Sequence, residues 1–221
     1  IRNMHTITTT ILGDYKLAKK WYGAKGEFIQ NLMYKSHVYR NIDEILPNEI
    51  SKESTNIQVG NSSDPANNHM EVLSTLSKHE HSSCKIFCPL SYGSDIHKKN
   101  VIQIGKELFG NRFHPMTDLM SFDDYNKYLA SIDIAIFHHD RQQAMGNVIG
   151  LISLGKKVVL KDSISSYEFF TDLGIIVYTL DDDDLLKPID ASSAQSNIII
   201  ARNYFTLERL KRNWAEVFNA K

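Results

Sequence analysis

Cysteine is nearly absent: Cys84 and Cys88 are the two in 221 residues. A disulfide framework is therefore excluded as the source of stability. Four residues apart in a β-rich run, the two thiols share one strand face and are expected in the core. Long apolar runs are missing too. None approaches the about 18 residues of a membrane span, and the opening Ile1–Gly13 lacks the charged and apolar regions of a signal peptide. The chain does not begin with Met, so a piece of a longer protein is expected, and the simplest expectation is a cytoplasmic globular domain. Charge of one sign is lacking as well. Lys and Arg total 25 against 26 Asp and Glu, so nothing advertises nucleic acid as a partner.

What is present is an ordinary globular composition, 42% hydrophobic and 23% charged, long enough for one large domain. Residues 1–54 and 203–221 each carry a net +2, and residues 55–202 carry −5. From Thr55 onward, short β-rich runs alternate with amphipathic stretches. The runs are Thr55–Val59, Cys84–Leu90, Arg112–Pro115, Asp133–His138, Lys156–Leu160 and Ile175–Tyr178. The helical stretches are Asn68–Ser77, Asp95–Phe109, Phe122–Ser131, Gln142–Leu154 and Ser165–Leu173. Strands spaced by such helices imply right-handed crossovers and a Rossmann-like parallel sheet with helices on both faces, in an α/β domain over residues 55–202.

Upstream, His5–Thr10 and Phe28–Met33 read as strands, Gly13–Tyr22 as a short helix, and Asn41–Ser54 as a linker. In a closing helix over residues 203–221, Leu207, Leu210, Trp214, Val217 and Phe218 line one face. The run Asp181–Asp184 suits a solvated helix start better than a metal site. Lys16, Lys19, Lys20 and Lys25 around Trp21 and Tyr22 read as a solvated helix face before a membrane-attracted one.

In an open parallel sheet, ligands sit outside the carboxyl ends of the strands. Two segments fall there. Gly60-Asn61-Ser62-Ser63-Asp64 follows the domain's first strand, where small residues let backbone N–H groups approach a phosphate. Taken alone, it is also an ordinary strand-to-helix turn. His138-His139-Asp140-Arg141-Gln142-Gln143-Ala144-Met145-Gly146-Asn147 follows a buried strand and opens a helix. Arg141 supplies a planar fork for phosphate oxygens, Gly146 permits close approach, and Gln142, Gln143 and Asn147 crowd the same turn. So many polar groups at one strand end point to a ligand. His79-Glu80-His81 looks like a metal pair but belongs to a loop, and His138 and His139 should point to opposite sides. Zinc is not expected.

Gly60-Asn61-Ser62-Ser63-Asp64 with Asn68-His69, Pro89-Leu90-Ser91-Tyr92-Gly93, and Arg141–Asn147 with Gly155–Leu160 behind it resemble, in that order, the motifs of a bacterial family. It is the 4-acetamido-4,6-dideoxygalactose (N-acetylfucosaminyl) transferases of enterobacterial common antigen synthesis. The resemblance covers about Ile7 to Tyr178. Ser63 and Ala144 stand where relatives often have Gly.

The resemblance implies a GT-B glycosyltransferase. Residues 55–202 would be its nucleotide-sugar donor domain, and residues 1–54 the remnant of an acceptor domain plus linker. It implies a dTDP-sugar donor, a polyprenyl-diphosphate-linked oligosaccharide acceptor, and no cofactor or metal. The whole protein would sit peripherally on the cytoplasmic face of the inner membrane. Donor binding would fall to Gly60, Asn61, Ser62, Ser63, Arg141, Gln142, Gln143, Gly146 and Asn147. Tyr92 would pack on base or ribose, and the loop at Pro115–Asp118 would meet the base edge. A catalytic base would belong to the acceptor half, and this stretch alone would bind donor without transferring sugar. The rival readings are another sugar-nucleotide transferase of O-antigen or capsule synthesis, and a nucleotide-binding regulatory module of receiver type. A receiver's acidic cluster is incomplete here, with Asp64 and Lys161 alone in position, and a dinucleotide enzyme's G-x-G-x-x-G is missing.

Overall fold

A computed structural model describes residues 3–39, 54–79 and 83–220, and two parallel sheets organise them. The first is a single βαβ unit: β1 (Thr6–Thr9), α1 (Leu12–Tyr22) and β2 (Glu27–Gln30), with Thr6 opposite Glu27 and Thr9 opposite Gln30. The expected upstream strand, helix and strand are thus present, and they close on one another. Nearly all of the expected linker lies outside the described residues.

The second sheet holds β3 (Thr55–Val59), β4 (Cys84–Pro89), β5 (Phe113–Met116), β6 (Ile134–Phe137) and β7 (Lys157–Leu160). Their order is β5-β4-β3-β6-β7, and every pairing is parallel. The crossovers are α2 (His69–Ser77), α3 (Asp95–Phe109), α4 (Phe122–Ser131) and α5 (Met145–Ser153), and α6 (Ser165–Asp172) follows β7. Alternation along β6 explains the two-faced core. Ile134 and Ile136 join Ile57, Val59, Ile86 and both cysteines on one side, under Val72, Leu73 and Val101. Ala135 and Phe137 join Val158 and Leu160 on the other, under Val148, Ile152, Phe169 and Phe170. Each such Val, Leu, Ile or Phe side chain contributes about 1.5–3 kcal/mol on burial.

After α6 come α7 (Ala191–Tyr204) and α8 (Leu207–Asn219), each started by a side-chain cap, Asp190 to Ser193 N and Thr206 to Arg209 N. On α8, Leu210 is buried and Trp214 is half-buried, while Leu207 and Phe218 stay exposed. α8 returns to the first unit, where Trp214 Nε1 donates to Met33 O at 3.2 Å. α1 packs on α6, with Lys16 paired to Glu168 at 3.3 Å. Among the described residues, no helix is long and apolar enough to cross a membrane.

Three expected elements differ. Ile175–Tyr178 is not a strand. Only Tyr178 bridges β7, at Val159, because Asn197 of α7 takes both the N–H and the C=O of Ile176 at 2.8 Å. The helix expected from Gln142 begins at Met145, since Ala144 is left-handed at φ 58° and turns the chain first. Asp181–Asp184 starts no helix. It lies in tight turns, where the Asp182 carboxylate accepts from Thr179 N at 2.6 Å and Leu185 N donates back to Asp182 O.

Lys157 secures those turns from inside. It is 1% exposed, its Nζ donates to Asp184 O at 2.5 Å and Lys187 O at 3.0 Å, and it lies 4.4 Å from the Tyr178 ring centre. Burial pulls its pKa below the ordinary lysine value. Lys157→Met keeps the stem and strands two carbonyls, so it should lower the unfolding free energy by about 2 kcal/mol. Urea titration measures this, and an unchanged midpoint would show that water satisfies both carbonyls.

Candidate functional site

β3 is flanked by β4 on one side and β6 on the other, so the crossovers diverge there and leave a crevice at the strand carboxyl ends. The loops after β3 and β6 are the two segments singled out by sequence. Gly60 opens the first at φ 68°, and a Cβ there would lie 2.7 Å from both Asn67 Oδ1 and His69 Nε2. Three of this loop's backbone donors are turned to protein acceptors. Gly60 N donates to Ile136 O at 2.9 Å, Asn61 N to Asn67 Oδ1 at 2.9 Å, and Ser63 N to Tyr92 O at 2.8 Å. The expected backbone cradle is therefore corrected at these three positions. This loop is pinned from below and presents side chains. Gly60 and Ser63 are buried beneath the cleft, with Ser63 Oγ on Tyr92 O.

Asn67, fully buried, is the pin. Its Oδ1 also takes His139 Nε2 at 3.0 Å, and its Nδ2 donates to Asp64 O at 3.1 Å. His69 pairs with His97, Nδ1 to Nε2, at 3.1 Å, while His138 turns the other way toward Glu71 at 3.3 Å. His138 and His139 thus diverge as expected. Burial drives the pKa of His69 down to about 3 and that of His139 to about 4, with neighbouring His97 and Arg141 adding to the respective shifts. Both rings are neutral when folded, whereas in the unfolded chain they titrate near about 6.5. The unfolded state therefore binds more protons below that pH, and stability conferred above it drains away as pH falls toward about 4. Between about pH 7 and 5.5 the two sites should lower stability by about 2 kcal/mol. Urea midpoints across that range test this, and the His69→Gln/His139→Gln double variant should flatten the slope.

Above this floor lies an open cleft of about 400 Å³, lined by Asn61, Ser62, Asp64, Tyr92, Arg141, Gln143, Gly146, Asn147 and Ser36. Seven of the ten residues expected to bind ligand meet here, while Gln142 lines an adjoining groove. Asn61 joins the two loops, donating to Tyr92 OH at 2.9 Å and accepting from Gln143 Nε2 at 3.3 Å. Gln143 Oε1 is buried and has no hydrogen-bond partner among the described residues. The first turn of α5 borders the cleft without a side-chain cap. Arg141 Nη2 donates to Asp64 Oδ2 at 2.8 Å, and the arginine side chain is 62% exposed. Backbone donation from Ala66 and the Arg141 contact hold the Asp64 carboxyl below its usual pKa. Asp140 is taken by Lys161 at 2.8 Å. The direction a Cβ would take at Gly146 is filled by Ser36, with Cβ and O at 3.1 Å. A second cleft of about 290 Å³ continues past Tyr92 to Met116, Asp118, Leu119, Met120 and Tyr125.

Sequence reading missed Asp64 as the partner of Arg141, the buried Asn67, and Ser36. An Asn two residues past a proline-initiated turn was the available signal for Asn67, and Ser36 offered none. Among the described residues, no group of three or more His, Cys, Asp or Glu is placed to hold a metal. Glu80 and His81 lie outside them.

A family model described as 4-alpha-L-fucosyltransferase, glycosyl transferase group 56, matches residues 2–215. Sucrose-phosphate synthase from Thermosynechococcus elongatus superposes with a TM-score of 0.70 at 12% identity, covering 98% of this chain and 58% of its own. The Anabaena protein HepE, in complex with UDP and glucose, gives 0.72 at 14%, covering 100% and 64%. The C-terminal domain of a group 1 glycosyl transferase (LpcC) from Francisella tularensis gives 0.57 at 9%, covering 79% of this chain and 99% of that domain. These likenesses show the fold, that of GT-B glycosyltransferases. The chain spans 58% and 64% of the two longer proteins.

Proposed function

Because the chain belongs to the 4-alpha-L-fucosyltransferase family, glycosyl transferase group 56, we propose that residues 55–202 bind the nucleotide-sugar donor of a glycosyltransferase. Residues 1–54 belong to its acceptor side. The observation that carries this reading is the meeting of Asn61, Ser62, Tyr92, Arg141, Gln143, Gly146 and Asn147 around one cleft at the switch point. The diphosphate lies against Arg141 and the uncapped first turn of α5. As the glycosidic bond breaks, charge grows on the leaving phosphate, and fixed donors of this kind stabilise it. The base enters the second cleft, between Tyr92 and the apolar Met116, Leu119 and Met120.

We read the donor as a dTDP-activated 4-acetamido-4,6-dideoxy sugar. The support for this choice is the likeness of Gly60–Asp64, Pro89–Gly93 and Arg141–Asn147 to the motifs of the dideoxysugar transferases. The acceptor is a polyprenyl-diphosphate-linked oligosaccharide, met by the whole protein peripherally at the cytoplasmic membrane face. No resident metal takes part.

Titration calorimetry with dTDP, UDP and NAD, each with and without EDTA, tests the reading. We expect dTDP to bind most tightly, NAD not to bind, and EDTA to change nothing. UDP preferred over dTDP would favour the O-antigen or capsule alternative. Affinity lost in EDTA and restored by magnesium would place an ion at Asp64 or Asp140.

A further inference from the structure

A groove of about 430 Å³ adjoins the donor cleft, and Arg141 lines both. One wall is a face of α1: Leu17, Ala18, Trp21 and Tyr22, at the spacing that stacks side chains along a helix. The facing wall comes from the loops after β6 and β7, through Asp140, Gln142, Ser163 and Ser165. We propose that this groove is a saccharide subsite, which receives the acceptor's terminal sugar beside the donor. This rests on the glycosyltransferase reading above.

The chemistry of the two walls selects a sugar. Trp21 and Tyr22 are 63% and 56% exposed, and their rings stand at 89° with centres 6.5 Å apart. Together they form an L-shaped apolar corner suited to the C–H face of a pyranose. Asp14 sits at the inner end, half-buried, where one carboxylate oxygen takes the Ser165 hydroxyl at 2.5 Å. An ionised carboxylate accepts several hydrogen bonds, so Asp14 also receives a sugar hydroxyl. Burial raises its pKa. The Gln142 amide and the Ser163 hydroxyl supply further partners along the rim. A purely apolar ligand would cover Asp14, Gln142 and Ser163 without offering them a partner, whereas a sugar presents hydroxyls to these groups and a C–H face to the rings. The volume is in the ordinary range for a small-ligand site. Because Arg141 forms the shared border, an occupant of this groove lies next to whatever the donor cleft holds.

The chain has two tryptophans, Trp21 and Trp214, so its two indole N–H resonances are assigned with a Trp214→Phe variant. Diacetylchitobiose, cellobiose and N-acetyllactosamine are then titrated into the labelled chain. We expect at least one disaccharide to shift the Trp21 indole resonance saturably. In saturation-transfer experiments, Trp21→Ala should weaken that disaccharide about fivefold or more. Trp21→Tyr should keep most of the binding, and Asp14→Asn should weaken it. Calorimetry with dTDP should be unchanged in all three variants. The proposal is overturned if none of the disaccharides moves the Trp21 resonance, or if Trp21→Ala binds as well as the native chain. Saccharide binding without dTDP binding would strike the donor reading alone, and dTDP binding without saccharide binding would strike this subsite alone.

Discussion

Arg141→Ala is expected to weaken nucleoside-diphosphate binding by more than about tenfold while leaving the melting temperature nearly unchanged. The two halves of that result have separate causes. The Arg141–Asp64 pair is solvent-facing, with side chains 62% and 35% exposed, so it contributes little to the fold. Bound diphosphate changes the surroundings, because it covers the guanidinium and partly desolvates it. Removing one partner of such a charged contact costs about 2–5 kcal/mol, and 1.4 kcal/mol is already about tenfold. The variant also leaves the Asp64 carboxylate facing the phosphates without its counter-charge. Adding Asp64→Asn should therefore recover part of the lost affinity. Arg141→Lys should recover part as well, since a point charge cannot reproduce the fork. Calorimetry on the folded variants decides. Unchanged affinity in Arg141→Ala would reduce the arginine to a brace between two loops.

Gly60→Ala should be the most damaging small substitution near the site. The position holds φ 68°, and the new methyl would lie 2.7 Å from Asn67 Oδ1 and His69 Nε2. Neither neighbour is the loose end of an exposed chain. Asn67 is bonded to Asn61 N and His139 Nε2, and His69 is bonded to His97. Left-handed strain of about 1 kcal/mol adds to overpacking of about 1–3 kcal/mol. We expect about 2–4 kcal/mol of destabilisation by urea titration, together with loss of nucleotide binding. Gly174→Ala is the control. Its φ is 79°, but the atom nearest the added methyl is Ile200 Cδ1 at 3.7 Å, an ordinary contact, so only the strain remains and nucleotide affinity should not move. Equal effects at both positions would remove the packing argument for Gly60.

The sheet was legible because its strands are short apolar runs rich in β-branched residues, cut by capped helices. Ile134-Ala135-Ile136-Phe137 has no other sensible place than the centre of a layered core. α7 was not legible: Ala191–Asn197 is mostly Ser, Ala, Gln and Asn, with no stripe to mark a buried face. It also changed its neighbours, since Asn197 of that helix takes the backbone of Ile176 away from any sheet. The two ligand loops could be located from strand ends alone, but their internal wiring could not. The pairing of Asp64 with Arg141 spans 77 positions, and the bond from Asn67 to His139 spans 72. Such pairings are products of the crossover, which brings the ends of β3 and β6 side by side. Ser36 reaches the cleft from the short turn Lys35–His37 that follows the first βαβ unit, by the same logic of assembly.

The central claim is that a donor nucleotide lies across the carboxyl ends of β3 and β6. Backbone amide shifts of the isotope-labelled chain on adding dTDP test it directly. The account predicts saturable changes at Asn61–Asp64, Tyr92, Arg141–Asn147 and Met116–Met120. Lys157, α7 and the amino ends of the strands should stay still. Changes confined to another face, or none at concentrations that saturate a nucleotide site, would contradict it.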